Sequence, residues 1–280
     1  MIELDVLCSS YASKVVFQNL SATFDSGQCV AVFGRNGAGK STLFRTLMGL
    51  KPPTSGAARI CGFDCWHQGE RARELIGFAP ETPVFPRRAK VSWVLDFLQA
   101  FYSHWDQQLA KELLSHTSIS SSDRVGKLSK GNLMQLALVA AITRKPKVLI
   151  LDEPFGSLDP VSRQIWTNVL RQQLLTTIQT CLYSTHSVSD TESICGRVVV
   201  ISEQKLSFDF ETKFKSPRYF RVPAGVNLLA MKNTIRLEIF DHSDTFQILA
   251  IDLSQASIFS NWARACGHQI TPITIADLLA

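Results

Sequence analysis

Short apolar runs separated by glycine and proline dominate the first two thirds of the chain. Residues 29–33 form one such run, and a glycine-rich segment follows directly, the pattern of a buried strand feeding a loop. Residues 41–50 then read as a helix, ended by Gly49 and by Pro52 and Pro53. Residues 75–79, 148–151, 178–184 and 198–201 read as further buried strands. Helical patterns lie between them, at 133–143 and 163–175 among others. Strands alternating with helices predict an α/β core built on a parallel sheet.

Two regions depart from that alternation. In 91–114, Trp93, Val94, Phe97, Leu98, Phe101 and Trp105 recur at helical spacing, which predicts a helical insert. Core packing is the expected role of most of these side chains, and part of the aromatic face is a candidate receiver for a partner helix. After about Lys205 the pattern shortens: 218–222, 234–240, 245–251 and 269–273 read as strands and 257–266 as a helix, a small α+β appendage. The expected division is residues 1–205 and 206–280, with the helical insert at about 83–143.

Composition narrows the setting. The chain has 280 residues, 45% of them hydrophobic, enough to bury a large core and a smaller second one. The excess of 29 Lys and Arg over 24 Asp and Glu, +5, suits a neighbourhood of phosphates or an anionic membrane surface and is too weak to imply nucleic acid, so no nucleic-acid partner is expected. No run approaches the roughly 20 apolar residues that span a bilayer. Glu3, Asp5, Lys14 and Gln18 interrupt the first 20 residues, so no signal peptide is read there. The expected location is the cytoplasm, with any membrane attachment through a partner. Seven cysteines, an odd number, are scattered along the chain. Cys61, Cys65 and His67 lack the spacing and the second ligand pair of a zinc site, and free thiols are expected.

The chemistry begins at the glycine-rich segment. Gly34, Arg35, Asn36, Gly37, Ala38, Gly39, Lys40 and Ser41 fit G-x-x-x-x-G-K-[ST], between a strand and a helix as that motif requires. The glycines let the backbone curl so that its N–H groups and the helix start face a phosphate chain. Lys40 then reaches the β- and γ-phosphates, and the Ser41 hydroxyl, followed by Thr42, stands ready to ligate Mg²⁺. A second apolar strand, 148–151, ends in Asp152 and Glu153. Two adjacent carboxylates call for separate work: Asp152 for the metal, Glu153 as general base toward the attacking water.

With these residues in view the chain resembles the ATPase subunits of ABC transporters. Leu128, Ser129, Lys130, Gly131 and Asn132 resemble the LSGGQ signature ahead of a helix. Ser157, Leu158 and Asp159 match the D-loop, His186 the switch histidine, and Tyr11 the aromatic that stacks on adenine. The match spans about residues 2–205. It implies a P-loop NTPase core with a parallel sheet, an antiparallel β subdomain and a helical subdomain. It implies ATP and Mg²⁺ as ligands, with Ser129, Lys130, Gly131 and Asp159 facing nucleotide on the opposite subunit and His186 on the γ-phosphate. It also implies a homodimer or a paired ABC ATPase, and a membrane-spanning permease entering a groove built from Glu81 and residues 83–101.

Three departures resemble the ABC-2-type exporter branch. Glu81 stands where the family usually has glutamine near Mg²⁺, Lys130 replaces a signature glycine, and Asn132 replaces glutamine. The 101–106 segment and the closing 271–279 segment are similar to that branch as well. The resemblance therefore implies an active exporter ATPase, peripheral on the inner face of the cell membrane. The alternatives are a soluble ABC ATPase with a regulatory or ribosome- or nucleic-acid-associated role, which lacks its usual second cassette or insertions here, and a slow ATP-binding regulator, against which Glu153 argues.

Overall fold

The computed structural model describes residues 1–186, 194, 196–211, 217–223, 226, 228, 237–242, 246–252, 256–266 and 268–273. The chain divides into two compact units, Met1–Phe208 and Asp209–Ala280.

The first unit carries two sheets. β1 (Ile2–Tyr11) and β2 (Lys14–Phe24) form a hairpin, and β4 (Ser55–Ile60) with β5 (Phe63–Asp64) extends it into an antiparallel sheet of order β2-β1-β4-β5. The larger sheet uses β3 (Gln28–Phe33), β6 (Ile76–Ala79), β7 (Val148–Asp152), β8 (Thr180–Thr185), β9 (Arg197–Ser202) and β10 (Lys205–Glu211), in order β10-β9-β3-β8-β7-β6. The pairs β9·β3, β3·β8, β8·β7 and β7·β6 are all parallel. Every residue of β7 and β8 is buried, which is why β7 is apolar without alternation up to Asp152, while β8 carries Thr180, Ser184 and Thr185 inside. One apolar cluster joins both sheets, from Ile2, Leu7 and Phe17 through Phe44 and Leu47 to Val30, Ile150 and Leu182.

Parallel strands place all their C-terminal ends at one edge, where ligands of open α/β sheets gather. The segments after β3, β6, β7 and β8 therefore deliver the glycine-rich loop, Glu81, Asp152–Glu153 and His186 to a common edge. α1 (Lys40–Leu47) leaves that edge directly from the loop.

The helical part consists of α3 (Val91–Phe101), α4 (Gln107–Ser115) and α5 (Lys130–Thr143), after the short α2 (Gly69–Glu74). α5 is apolar on almost every side because it is buried along most of its length. A Cβ on Gly77 of β6 would lie 2.4 Å from the Ala141 carbonyl oxygen, so glycine there permits the close approach of helix and strand. The insert breaks at 102–106: Asp106 caps α4 by accepting from the Leu109 amide at 2.9 Å, and the Arg144 guanidinium lies 3.9 Å from the Tyr102 ring centroid. Lys145 pairs with Asp106 at 2.7 Å, tying the end of α5 to that corner.

The structure corrects the expectation of core packing for the aromatic residues of α3. Val91, Val94 and Leu95 face the core, whereas Trp93 is 51% exposed, Phe97 52% and Phe101 70%. These three rings stack in a row, with centroids 5.4 Å and 6.2 Å apart. The helical period places 93, 97 and 101 on one face of the helix, but that face points outward.

In the second unit β11 (Pro217–Pro223), β12 (Leu237–His242), β13 (Phe246–Asp252) and β14 (Thr271–Ile273) form an antiparallel sheet of order β12-β13-β11-β14. α7 (Ala256–Ala265) contributes Phe259 to a small core with Phe220, Val222, Leu228 and Leu249. Of the closing segment, 274–279 lies outside the described residues.

Cys8, Cys29, Cys61, Cys65, Cys181 and Cys266 are free thiols. Burial pushes the Cys65 thiol up to about 12, with Asp64 adding to the rise. No cluster of three metal-ligating side chains occurs among the described residues. Cys195 lies outside them.

Candidate active site

The glycine-rich loop owes its shape to steric room. Gly37 and Gly39 take φ of 85° and 109°, conformations that residues with a Cβ rarely adopt. A Cβ on Gly34 would sit 2.7 Å from the Ile201 carbonyl oxygen. Glycine at 34 thus lets the loop pack closely against β9, and glycine at 37 and 39 supplies its left-handed turns. Arg35 and Asn36 are exposed on its outside, and Ala38 is half-buried. Lys40 opens α1 as a buried cation, its Nζ donating to the Gly34 carbonyl at 2.6 Å and so closing the loop on itself. Ser41 and Thr42 follow on the first turn, both half-buried.

β7 and β8 are in register at Asp152 and Ser184. The buried Ser184 hydroxyl donates to Asp152 Oδ1 at 2.5 Å and accepts from the Glu153 amide at 2.8 Å. One hydroxyl thereby fixes both carboxylate residues. Glu153 is held at φ 50°, an uncommon conformation for this residue type that the Ser184 contact helps to maintain. Its two oxygens face different partners: Oε1 lies 3.6 Å from Lys40 Nζ, and Oε2 lies 2.9 Å from His186 Nδ1. Lys40, Asp152, Glu153 and His186 therefore form one cluster. The buried Asp152 carboxylate, held through Oδ1 by Ser184, and the Ser41 hydroxyl are hard oxygen donors of the kind magnesium takes.

A second group is built on other elements. Ser129 caps α5, its hydroxyl accepting from the Asn132 amide at 3.1 Å, and Lys130 beside it is exposed. A Cβ on Gly131 would lie 2.8 Å from the Ser157 carbonyl oxygen, so the D-loop packs directly on the signature. Asp159 caps α6 (Pro160–Thr176), accepting from the Val161 and Ser162 amides at 3.0 Å each and from the Ser162 hydroxyl at 2.6 Å. The hydrogen bonds from the Ser162 side chain and backbone hold the Asp159 carboxyl below its ordinary range. Among the described residues no hydrogen bond or ion pair joins Ser129 or Asp159 to the Lys40 cluster.

A family model described as ABC transporter matches residues 17–156. The uncharacterized ABC transporter ATP-binding protein YxlF of Bacillus subtilis is 33% identical over 216 residues, covering 75% of this chain and 71% of that protein. The chain belongs to the ABC transporter family. The Nod factor export ATP-binding protein I of Sinorhizobium fredii is 34% identical over 205 residues, covering 71% of this chain and 60% of that one. A solved ATP binding subunit of an ABC transporter superposes with a TM-score of 0.70 at 26% identity, over 75% of this chain and 90% of that one. A dimeric ATP-binding cassette bound to ADP and Pi shares the fold, with a TM-score of 0.69 at 18% identity over 76% of this chain and 99% of that one.

Glu81 is exposed, two residues beyond the end of β6 at the functional edge. Tyr11 ends β1 with its ring 46% exposed. Burial alone would raise its phenol, but hydrogen bonds from Arg45 and Thr42 and the charges of Arg45 and Lys51 outweigh it, and the phenol is lowered overall. Asp159 has both carboxylate oxygens committed to capping α6, a use that the D-loop motif does not convey. Two further residues lie outside every sequence motif. Ser184 lies near the end of β8 beside Thr185, and its place opposite Asp152 in the parallel register is what selects it. Lys51 had no sequence signal, because Ser10, its partner in β1, lies 41 residues earlier.

Proposed function

We propose that this chain is an ATP-hydrolysing subunit that binds MgATP in the 34–41 loop and acts as one half of a two-chain nucleotide sandwich. The placement of Glu153 between Lys40 and His186, beside the loop, carries this reading. Backbone amides of the loop and Lys40 hold the phosphates. Glu153 accepts a proton from the attacking water, and His186, hydrogen-bonded to it, holds the carboxylate oriented. Ser41 and Asp152 would hold magnesium, with Glu81 as a further carboxylate at the same edge, and the ion would supply positive charge against the phosphate oxygens.

The second chain follows from the separation of the two groups. Ser129 and Gly131 sit at the start of α5, without a bond to the Lys40 cluster, and a hydroxyl and amides at a helix start suit a phosphate. In a dimer they serve the partner's loop, with Lys130 adding a compatible cation and Asp159 ordering the D-loop beside them. A mixing experiment tests this. Chains carrying Lys40→Ala or Ser129→Arg alone are each expected to fall below about 1% of wild-type turnover. Mixed together, they pair one sound loop with one sound signature and recover a substantial fraction. A mixture as inactive as its components sinks the shared site.

A membrane-spanning partner is the second element of the proposal. No helix among the described residues is long and apolar enough to cross a membrane. The Trp93–Phe97–Phe101 row offers an unpartnered apolar face, and the exposed Arg87, Arg88, Lys90 and Arg124 flank its start. Residues 87–92 are stitched to 121–126 by backbone bonds, including Gly126 N to Arg87 O at 2.8 Å and Val91 N to Asp123 O at 2.9 Å. A permease helix docked on α3 would thus push on the strand of chain that leads into Ser129. The export names of relatives support an exporter, seated on the inner membrane face through its permease, over a ribosome- or nucleic-acid-associated role. In this reading residues 1–205 are the ATPase domain and 206–280 an appended α+β domain. Exchange of Trp93 and Phe97 for Glu is expected to leave the isolated chain's melting temperature nearly unchanged, since exposed substitutions cost within about 0.5 kcal/mol. It is expected to abolish co-purification of the permease in detergent; retained co-purification removes α3 as the docking face.

A further inference from the structure

The tip of the β1–β2 hairpin, which carries Tyr11, is anchored from the segment that follows α1. Thr54 takes Ser10 by two bonds, from the Ser10 amide at 3.0 Å and with the Ser10 hydroxyl at 2.9 Å, and its own amide donates to the Cys8 carbonyl at 2.8 Å. Lys51, three residues earlier, donates from Nζ to the Ser10 carbonyl at 2.9 Å. The same ammonium lies 4.5 Å from the centroid of the Tyr11 ring, well within cation–π range. On the phenol side, the Arg45 and Thr42 side chains of α1 help to lower the Tyr11 phenol against the effect of burial. The ring is therefore held at two points, through its backbone neighbour Ser10 and over one face.

We propose that Lys51 is a positioning residue for the nucleotide base: tethered to Ser10, it covers one face of the Tyr11 ring and presents the other to the base. The inference rests on Tyr11 being the stacking residue, as the proposed function has it. A tyrosine free at the tip of a hairpin would lose rotamer freedom on stacking, and a ring already fixed avoids that loss. An ammonium on one face also draws electron density from the ring, which favours a base's π-cloud on the opposite face. Among the described residues Lys51 makes no ion pair, so its charge is not neutralised by a carboxylate before it meets the ring.

Equilibrium binding by titration calorimetry tests it, with ATP and inorganic tripolyphosphate as the two probes, the second having phosphates but no base. Lys51→Met is expected to weaken ATP about fivefold, the equivalent of about 1 kcal/mol at 1.4 kcal/mol per tenfold. It is expected to leave tripolyphosphate unchanged, and Lys51→Arg, which keeps the cation over the ring, is expected to retain ATP binding. Unaltered or tighter ATP binding in Lys51→Met overturns the proposal, as does an equal loss for both probes, which would make Lys51 a phosphate contact or a structural tie. Tyr11→Ala separates the two levels. If it leaves ATP binding intact, the stacking role itself fails; if it weakens ATP while Lys51→Met does not, only the role of Lys51 fails.

Discussion

Replacing Glu153 with glutamine is expected to cut steady-state ATP turnover at least about 100-fold while nucleotide binding persists. Glutamine has the size of glutamate and the same backbone demands, so the φ of 50° and the Ser184 bond to the amide survive the change. What disappears is a carboxylate that can take a proton from water, and a negative charge 3.6 Å from Lys40. Loss of that charge also removes a competitor for the Lys40 ammonium and a repulsion against incoming phosphate. Affinity for MgATP is therefore expected to hold or rise, and the ATP-bound dimer, unable to hydrolyse its way apart, is expected to accumulate. Phosphate release reports the first effect, and light scattering with and without MgATP reports the second. Wild-type turnover in the variant would remove Glu153 as the base.

How much of this was legible in the chain depends on the range of the interaction. The shape of the proposed phosphate loop was legible because it is local: Gly34 to Ser41 is one continuous stretch whose glycines set its backbone. Asp152 and Glu153 stood out as candidates because they are two adjacent carboxylates at the end of a buried apolar strand. Five of the six strands of the larger sheet, β3, β6, β7, β8 and β9, were legible as short runs punctuated by glycine and proline, whereas β10, with the sequence KLSFDFE, carries no such run. Relations between distant segments were not. Nothing in the run 51–54 announces that Lys51 folds onto Ser10 and Tyr11, because a hairpin and a later loop meet only in three dimensions. The aromatic residues of α3 show the other limit. Periodicity gathers Trp93, Phe97 and Phe101 on one face, yet Val91, Val94 and Leu95 form an equally apolar second face, and the chain buries that one. A helix with two apolar faces does not say from sequence which one waits for a partner. Asp159 adds a third case, since a D-loop aspartate ahead of Pro160 reads equally as a ligand-facing residue and as a helix cap, and its bonds are those of the cap.

Replacing Lys40 with alanine is expected to weaken MgATP binding at least about 100-fold, in line with the roughly 2–5 kcal/mol that follows loss of one member of a buried charge pair. Three consequences add in the same direction. The phosphates lose their nearest cation. The Gly34 carbonyl loses the donor that lies 2.6 Å away, so the loop is less firmly closed before the ligand arrives. Glu153, 13% exposed at its side chain, loses the cation beside Oε1 and turns an uncompensated charge toward the phosphate site. The last effect can be isolated by a double-mutant cycle. If the stranded carboxylate contributes, Glu153→Gln raises MgATP affinity more in the Lys40→Ala background than in the wild type. If the loss is entirely that of the lysine's own contact with phosphate, Glu153→Gln changes affinity by the same factor in both backgrounds. Retention of wild-type affinity by Lys40→Ala would remove the 34–41 loop as the nucleotide site, and with it the basis for placing His186 and Glu153 in hydrolysis.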